Sequence, residues 1–317
     1  MQMIASQVTH EESFQPDPPA VLVVGYGFIG RHMAGKLAGE GLSVTVLNRS
    51  EPERRDPDSG VDVLVGDAAD PEVLGAAITG VSHVIWCAGG LMPSEAETNP
   101  EADRDLTLRP LRTLLSLDAL TGKSLTYISS GGTIYGNPDV QPVSEDQAPE
   151  PIGAYGRNKL LAEELLLEAA GSGNFRLRIL RCANVYGPGQ PSDRSQGAVA
   201  VFSDRISRGL PVQVFGDGGV FRDFVHVEDV VHATVRLWKE DGPVVLNCGS
   251  GRPVTIASLV EILEVALGRQ AVIDRQPARE FDVDGIVLDL TRIRDLIDFD
   301  PVDLQTGLGV SLSLGAR

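Results

Sequence analysis

Cysteine is scarce in this sequence: Cys87, Cys182 and Cys248 are the only three in 317 residues. They are odd in number, widely spaced and form no CxxC pair, so neither a disulfide framework nor a zinc site is indicated, and a reducing compartment is. Each falls in an apolar, strand-like stretch and reads as a small core residue. The histidines (His10, His32, His83, His226 and His232) include no HExxH spacing. Positive charge is short as well. With 27 Lys and Arg against 44 Asp and Glu, the formal net charge is -17, which repels nucleic-acid phosphates and anionic lipid headgroups; neither nucleic acid nor membrane is expected as a partner. Lysine stands only at Lys36, Lys123, Lys159 and Lys239, which makes each one conspicuous. No apolar run approaches the ~20 residues of a membrane span. The first residues lack the basic and apolar regions of a secretory signal. Residues 1–19, with Pro16, Pro18 and Pro19 near their end, read as a disordered leader, and the expected location is cytoplasmic.

What is present is a globular composition, 42% hydrophobic and 22% charged. From residue 20 to 183 short β-branched runs alternate with helical patterns. AVLVVG at 20–25, LSVTVLN at 42–48, VDVLVGD at 61–67, SHVIWCAG at 82–89, KSLTYISS at 123–130 and FRLRILRC at 175–182 read as strands. Helical patterns cover 28–41, 101–120 and 154–171. Such alternation predicts an α/β, doubly wound parallel sheet covered on both faces, with its ligand crevice at the carboxyl ends of the strands. Beyond residue 183 glycine and proline punctuate shorter elements, with helices expected at 196–209, 228–240 and 255–268. The expected organisation is a nucleotide-binding domain at 20–183, a return segment to it at 221–250, and a smaller α/β lobe over 184–317.

GYGFIG at 25–30 follows a strand and opens a helix, the context in which GxGxxG binds a dinucleotide. Gly25 permits the tight turn, Gly27 the approach of a pyrophosphate and Gly30 close helix–strand packing; Phe28 and Ile29 belong to the same binding loop. At the end of the second strand Asn48 and Arg49 stand where an acid would take the ribose 2′-hydroxyl. An arginine there can pair with a 2′-phosphate, so NADP is preferred, with NAD as the alternative. Asp67 either accepts from the adenine amino group or is a strand-end turn residue. Ala88 and Gly89 end the fourth strand with a small surface for the cofactor backbone. Tyr155 and Lys159, four apart in a helix, share a face; an ammonium beside a phenol favours phenolate and lowers the tyrosine pKa towards acid–base use.

GYGFIG, CAGG at 87–90, ISSGGTIYG at 128–136, YGRNK at 155–159, RCANVYGPGQ at 181–190, VFGDG at 214–218 and FRDFVHVEDV at 221–230 occur in that order. Together they resemble the extended short-chain dehydrogenase/reductases, in particular the nucleotide-sugar branch of 4-epimerases, 4,6-dehydratases and 4-ketoreductases. The resemblance spans roughly residues 20–312 and implies a Rossmann domain with a nucleotide-sugar lobe. It makes Tyr155 the acid/base and Lys159 its partner. The hydroxyl that meets the sugar O4 lies, in the epimerases, four residues before the TxYG tyrosine, which is Gly131 here. Thr133 or Ser130 replaces it, with Thr133 preferred. The Asp-Glu pair of the dehydratases is Gly132-Thr133 here, which argues against water elimination. The resemblance also implies that Asn184, Arg222 and Arg279 meet a diphosphate and that Val214 and Phe215 line a base pocket. The expected activity is hydride transfer at C4 of a nucleotide-linked hexose, favoured as 4-keto reduction, with 4-epimerisation as the alternative and a non-catalytic NADP sensor as a distant third. A homodimer through the helices at 101–120 and 154–171 is expected from the same resemblance, with Leu106, Leu114, Leu117, Leu160, Leu161 and Leu165 equally able to serve the core.

Overall fold

The near-continuous apolar runs of the first half form strands because they are buried on both faces. The computed structural model describes residues 20–52, 59–172, 175–193, 197–238, 240–242, 244–278 and 283–315; the 1–19 leader and Arg279 lie outside the described residues. The elements run β1 (Ala20–Val24), α1 (Phe28–Gly39), β2 (Ser43–Asn48), β3 (Val61–Val65), α2 (Pro71–Ile78), β4 (His83–Trp86), α3 (Pro93–Thr98), α4 (Pro100–Ser116), β5 (Ser124–Ser130), α5 (Gly131–Ile134), α6 (Ala154–Ser172) and β6 (Arg176–Cys182). The second half gives β7 (Asn184–Tyr186), α7 (Ala198–Arg208), β8 (Pro211–Phe215), β9 (Phe221–His226), α8 (Val227–Leu237), β10 (Val245–Cys248), β11 (Pro253–Thr255), α9 (Ile256–Leu267), β12 (Val272–Gln276), β13 (Gly285–Ile286), α10 (Thr291–Leu296) and α11 (Leu304–Gly315).

Seven strands form one sheet in the order β10-β6-β5-β4-β1-β2-β3, every pair parallel. The order reverses between β1 and β4, which opens the crevice expected of a doubly wound sheet at its carboxyl edge. One face is covered by α2, α4 and α6 through Leu74, Leu111, Leu114 and Leu166, and the other by α1 and α8 through Met33, Leu37 and Val231. α2 starts cleanly because Asp70 accepts from Glu72 N and Val73 N and Pro71 fills the first helical position. The helix expected over 101–120 ends at Ser116 instead. Asp118 takes a φ of 48°, a left-handed conformation that stops helical hydrogen bonding.

The chain re-enters the large sheet as β10, beside β6. The smaller lobe holds β9 paired with β7, β11 and β13, a parallel β8–β12 pair, and a core of Val199, Phe202, Val212, Leu259 and Leu263 between them and α7, α9 and α11. Asp223 links the two regions. It is buried and accepts from Ser250 N and Ser250 Oγ at 2.7 Å, Gly251 N at 3.1 Å and Leu288 N at 3.2 Å. Among the described residues no helix is long and apolar enough to cross a membrane.

Of the leucines considered for a dimer face, Leu114 is fully buried and Leu117, Leu161 and Leu165 pack against the same cluster, while Leu106 and Leu160 are half-buried. The outward side of α4 carries Glu101, Arg104, Asp105, Arg109 and Arg112.

Candidate functional site

Backbone geometry shapes the β1–α1 turn. Gly25 has φ +95° and an added Cβ would sit 2.8 Å from Ala88 N; at Gly30 it would sit 1.9 Å from Gly25 O. At Gly27 nothing lies within 4 Å of an added Cβ, so the turn is tight on its protein side and open on the other. Phe28 and Ile29 start α1 there, and Ala88, just past the end of β4, lies against the same turn, with Gly89 next to it. An open glycine turn at a helix N-terminus suits a pyrophosphate, and the residues present fit a dinucleotide.

At the end of β2 the Asn48 side chain makes two hydrogen bonds. Its Oδ1 accepts from Tyr26 N at 3.0 Å and its Nδ2 donates to Ser50 O at 2.7 Å, so it braces the glycine turn. Arg49 beside it is exposed. Asp67 accepts from Ala69 N at 2.9 Å and pairs with Arg109 at 3.4 Å, the geometry of a strand-end turn residue.

Tyr155 and Lys159 rise from the first turns of α6, at the carboxyl edge of the sheet. Glu97 of α3 accepts from Ala154 N and so caps this helix. The Lys159 ammonium is buried, donates to Ile128 O at 3.1 Å, and lies 4.9 Å from the Tyr127 ring centre and 5.9 Å from that of Tyr155. Burial pulls Lys159 down to about 8, with Asp103 opposing the shift. The expected depression of the Tyr155 phenol is not what the site produces. Burial pushes it above the ordinary tyrosine value, Asp103 and Cys182 add to the rise, and the hydrogen bond to Ser130 works against it.

The hydroxyl beside the phenol is that of Ser130, whereas Thr133, the preferred candidate, stands one hydrogen bond further back and donates to Ser130 Oγ at 3.0 Å. The serine missing at Gly131 has no room: an added Cβ would lie 2.8 Å from both Arg181 O and Leu288 Cδ1. Gly132, by contrast, faces Asn184, whose Nδ2 would be 3.3 Å from an added Cβ. Asn184 donates to Asp223 O at 3.1 Å, and half-buried Arg222 on β9 donates to Phe221 O at 2.8 Å. Val214 needs correction as a pocket residue. It is only 4% exposed and packs in the lobe core, since inward and outward side chains alternate along β8; the half-buried residue there is Phe215.

Sequence reasoning overlooked Asp103, Asn158, Glu97 and the buried Arg181–Glu163 pair. One signal was available. The stripe Asp103, Thr107, Leu111, Leu114 repeats at helical spacing, and a carboxylate in a stripe that turns inward marks a polar residue with a task.

A parallel sheet with an open glycine turn at its switch point, a hydroxyl–phenol–ammonium group beside it and a second lobe are the architecture of the extended short-chain dehydrogenase/reductases. Residues 21–249 match the model of the NAD dependent epimerase/dehydratase family. The chain belongs to that family, in its extended short-chain nucleotide-sugar branch. It is 31% identical over 306 residues to UDP-glucose 4-epimerase of Azospirillum brasilense, covering 89% of this chain and 87% of that protein. It is 29% identical over 310 residues to dTDP-4-dehydro-6-deoxy-D-allose reductase of Streptomyces bikiniensis, covering 91% and 93%. The solved Thermus thermophilus UDP-glucose 4-epimerase complex with NAD superposes with a TM-score of 0.86 at 29% identity, covering 94% of this chain and 99% of that one.

Proposed function

We propose that this chain acts on C4 of a nucleotide-diphosphate hexose as a 4-ketoreductase, with NADP held by the turn at Gly25, Gly27, Phe28, Ile29 and Gly30, by Ala88 and Gly89, and by Arg49 at the ribose. When bound, the nicotinamide supplies hydride chemistry. Tyr155 moves the proton: it donates its phenolic hydrogen to the oxygen of the 4-keto group, and Lys159 steadies the phenolate left behind. Ser130 orients the phenol and the sugar oxygen, with Thr133 behind it. Asn184, Phe215 and Arg222, together with Arg279, receive the nucleoside diphosphate; guanidinium forks match phosphate oxygens.

The observation that carries reduction over epimerisation is the end of β2. It holds no carboxylate, Asn48 is tied to Tyr26 and Ser50, and Arg49 is exposed. The second reading, an NAD-dependent UDP-sugar 4-epimerase, is favoured by full-length similarity to the epimerase of Azospirillum brasilense. The test is the dinucleotide released on denaturing purified protein, read by mass spectrometry. NADP, or an empty site that binds NADPH and reduces 4-keto nucleotide sugars, supports the proposal. Stoichiometric NAD, with UDP-sugar interconversion needing no added reductant, overturns it. The absence of hydride transfer across a panel of 4-keto and 4-hydroxy nucleotide sugars would leave a binding protein instead.

The hydroxyl assignment has its own test. Ser130→Ala is expected to slow turnover by about 10²-fold, whereas Thr133→Ala loses far less because it only withdraws support from Ser130; equal losses would return the role to Thr133. For the diphosphate, Arg222→Ala is expected to raise KM for a nucleotide sugar by about 10- to 100-fold, the worth of a charge-assisted hydrogen bond, and to leave KM for a small neutral ketone unchanged. The same proposal includes a homodimer through the outward sides of α4 and α6, where Leu167 is 38% exposed, measured as particle mass by light scattering, and a cytoplasmic location, supported by three free thiols.

A further inference from the structure

Asp103 occupies the buried stripe of α4 and is only 1% exposed. Its Oδ1 accepts from Leu91 N at 2.6 Å and its Oδ2 from Asn158 Nδ2 at 2.7 Å. No Lys or Arg among the described residues forms an ion pair with it. Its two partners flank Lys159. Asn158 is the preceding residue on α6. Leu91 closes the turn whose Gly89 lies against the ammonium, an added Cβ there being 3.7 Å from Lys159 Nζ. The turn is built around the carboxylate, because an added Cβ on Gly90 would come within 2.0 Å of Asp103 Oδ1.

A buried ammonium and a buried carboxylate are each costly alone. The other titratable groups facing Lys159 are Cys87 at the end of β4, Tyr127 on β5, Cys182 on β6, and Tyr155 and Glu163 on its own helix. Burial pushes the Cys87 thiol up to about 12, so it is uncharged, and Glu163 is already matched by Arg181 at 2.7 Å. Asp103 is therefore the one uncompensated carboxylate facing Lys159 among the described residues.

We propose that Asp103 is a positioning residue and the counter-charge of Lys159: it locks the 87–91 turn against the first turn of α6 and keeps the buried ammonium charged. The Proposed function enters only through the role of the Tyr155–Lys159 pair, and the test needs no turnover. The chain carries four lysines, so lysine labelled with carbon-13 and nitrogen-15 gives four side-chain correlations by NMR, with Lys159→Arg assigning the one of interest. In the parent Lys159 should titrate below the other three. Asp103→Asn, which still accepts from Leu91 N while Asn158 turns its amide to offer an oxygen to the new N–H, should lower that midpoint by about one pH unit and leave the other lysines in place. Asp103→Glu, which keeps the charge, should hold the midpoint near the parent's. A Lys159 midpoint unmoved in Asp103→Asn, or moved alike in all four lysines, overturns the proposal. If Asp103→Asn fails to fold, Asp103→Ser is read the same way, and a parent Lys159 already neutral near neutral pH overturns the proposal without any variant. Loss of turnover in Tyr155→Phe with an unmoved Lys159 midpoint would sink Asp103 alone and leave the functional reading standing.

Discussion

Tyr155→Phe is expected to lower kcat by about 10²–10⁴-fold, the range of general acid–base catalysis, while dinucleotide affinity stays at the parent value. The substitution removes one oxygen from a half-buried ring and leaves α6 capped by Glu97 and tied by Asp103. The loss should therefore appear in the chemical step rather than in KM or stability. Lys159→Ala should behave differently, weakening dinucleotide binding as well as turnover, because the ammonium faces both the phenol and the Gly89 turn where the cofactor backbone is expected. The readout is single-turnover hydride transfer followed by nicotinamide absorbance, beside a dinucleotide titration of each variant. An undiminished rate in Tyr155→Phe would remove the phenol from the reaction and with it the proton path.

Six of the seven strands of the large sheet were legible because each is an apolar run long enough to stand out, and because GYGFIG fixes where the first strand ends and its helix begins; the seventh, β10, is a four-residue strand that the sequence showed only as a return segment. The Tyr155–Lys159 helix was legible for the same reason: it is long and regularly patterned. What the sequence hid depends on contacts between distant segments. Gly131 looks like a lost hydroxyl until Arg181 O and Leu288 leave no space for one. Ser130 lies beside the phenol because β5 ends there and the chain turns into α5. Val214 and Phe215 are neighbours with opposite environments, which a motif cannot tell apart but a strand's alternation can. Lys159 was expected to set the Tyr155 pKa, but the degree of burial, a property of the packed fold, sets it instead. Asn48 reads as a cofactor contact in sequence, and its part in bracing the turn before it, through Tyr26 N, shows only in the fold.

Glu163→Gln is expected to cost about 3–5 kcal/mol of unfolding free energy, because it leaves a buried guanidinium without its counter-charge. Glu163 is fully buried and Arg181 nearly so, with Arg181 Nη2 at 2.7 Å and Nε at 3.1 Å from Glu163 Oε2. The pair continues outward. Arg181 Nη1 donates to the Tyr135 hydroxyl at 2.9 Å, and Tyr135 donates to Asn247 Oδ1 at 2.7 Å. Asn247 donates to Val143 O at 2.9 Å and, through its backbone, to Glu145 Oε1 at 2.7 Å. One chain of hydrogen bonds thus joins α6, the helix that carries Tyr155 and Lys159, to β6, β10 and the TIYG segment. A glutamine can still accept one bond from Arg181, but it supplies no charge, and its amide group meets donors where an oxygen stood. Replacing both residues by methionine should recover much of the loss, since two well-packed apolar side chains avoid the desolvation of both ions. Denaturant unfolding of the parent, the single variant and the double variant checks this. A Glu163→Gln chain as stable as the parent would mean that water reaches the guanidinium and that the pair does not hold α6 against β6.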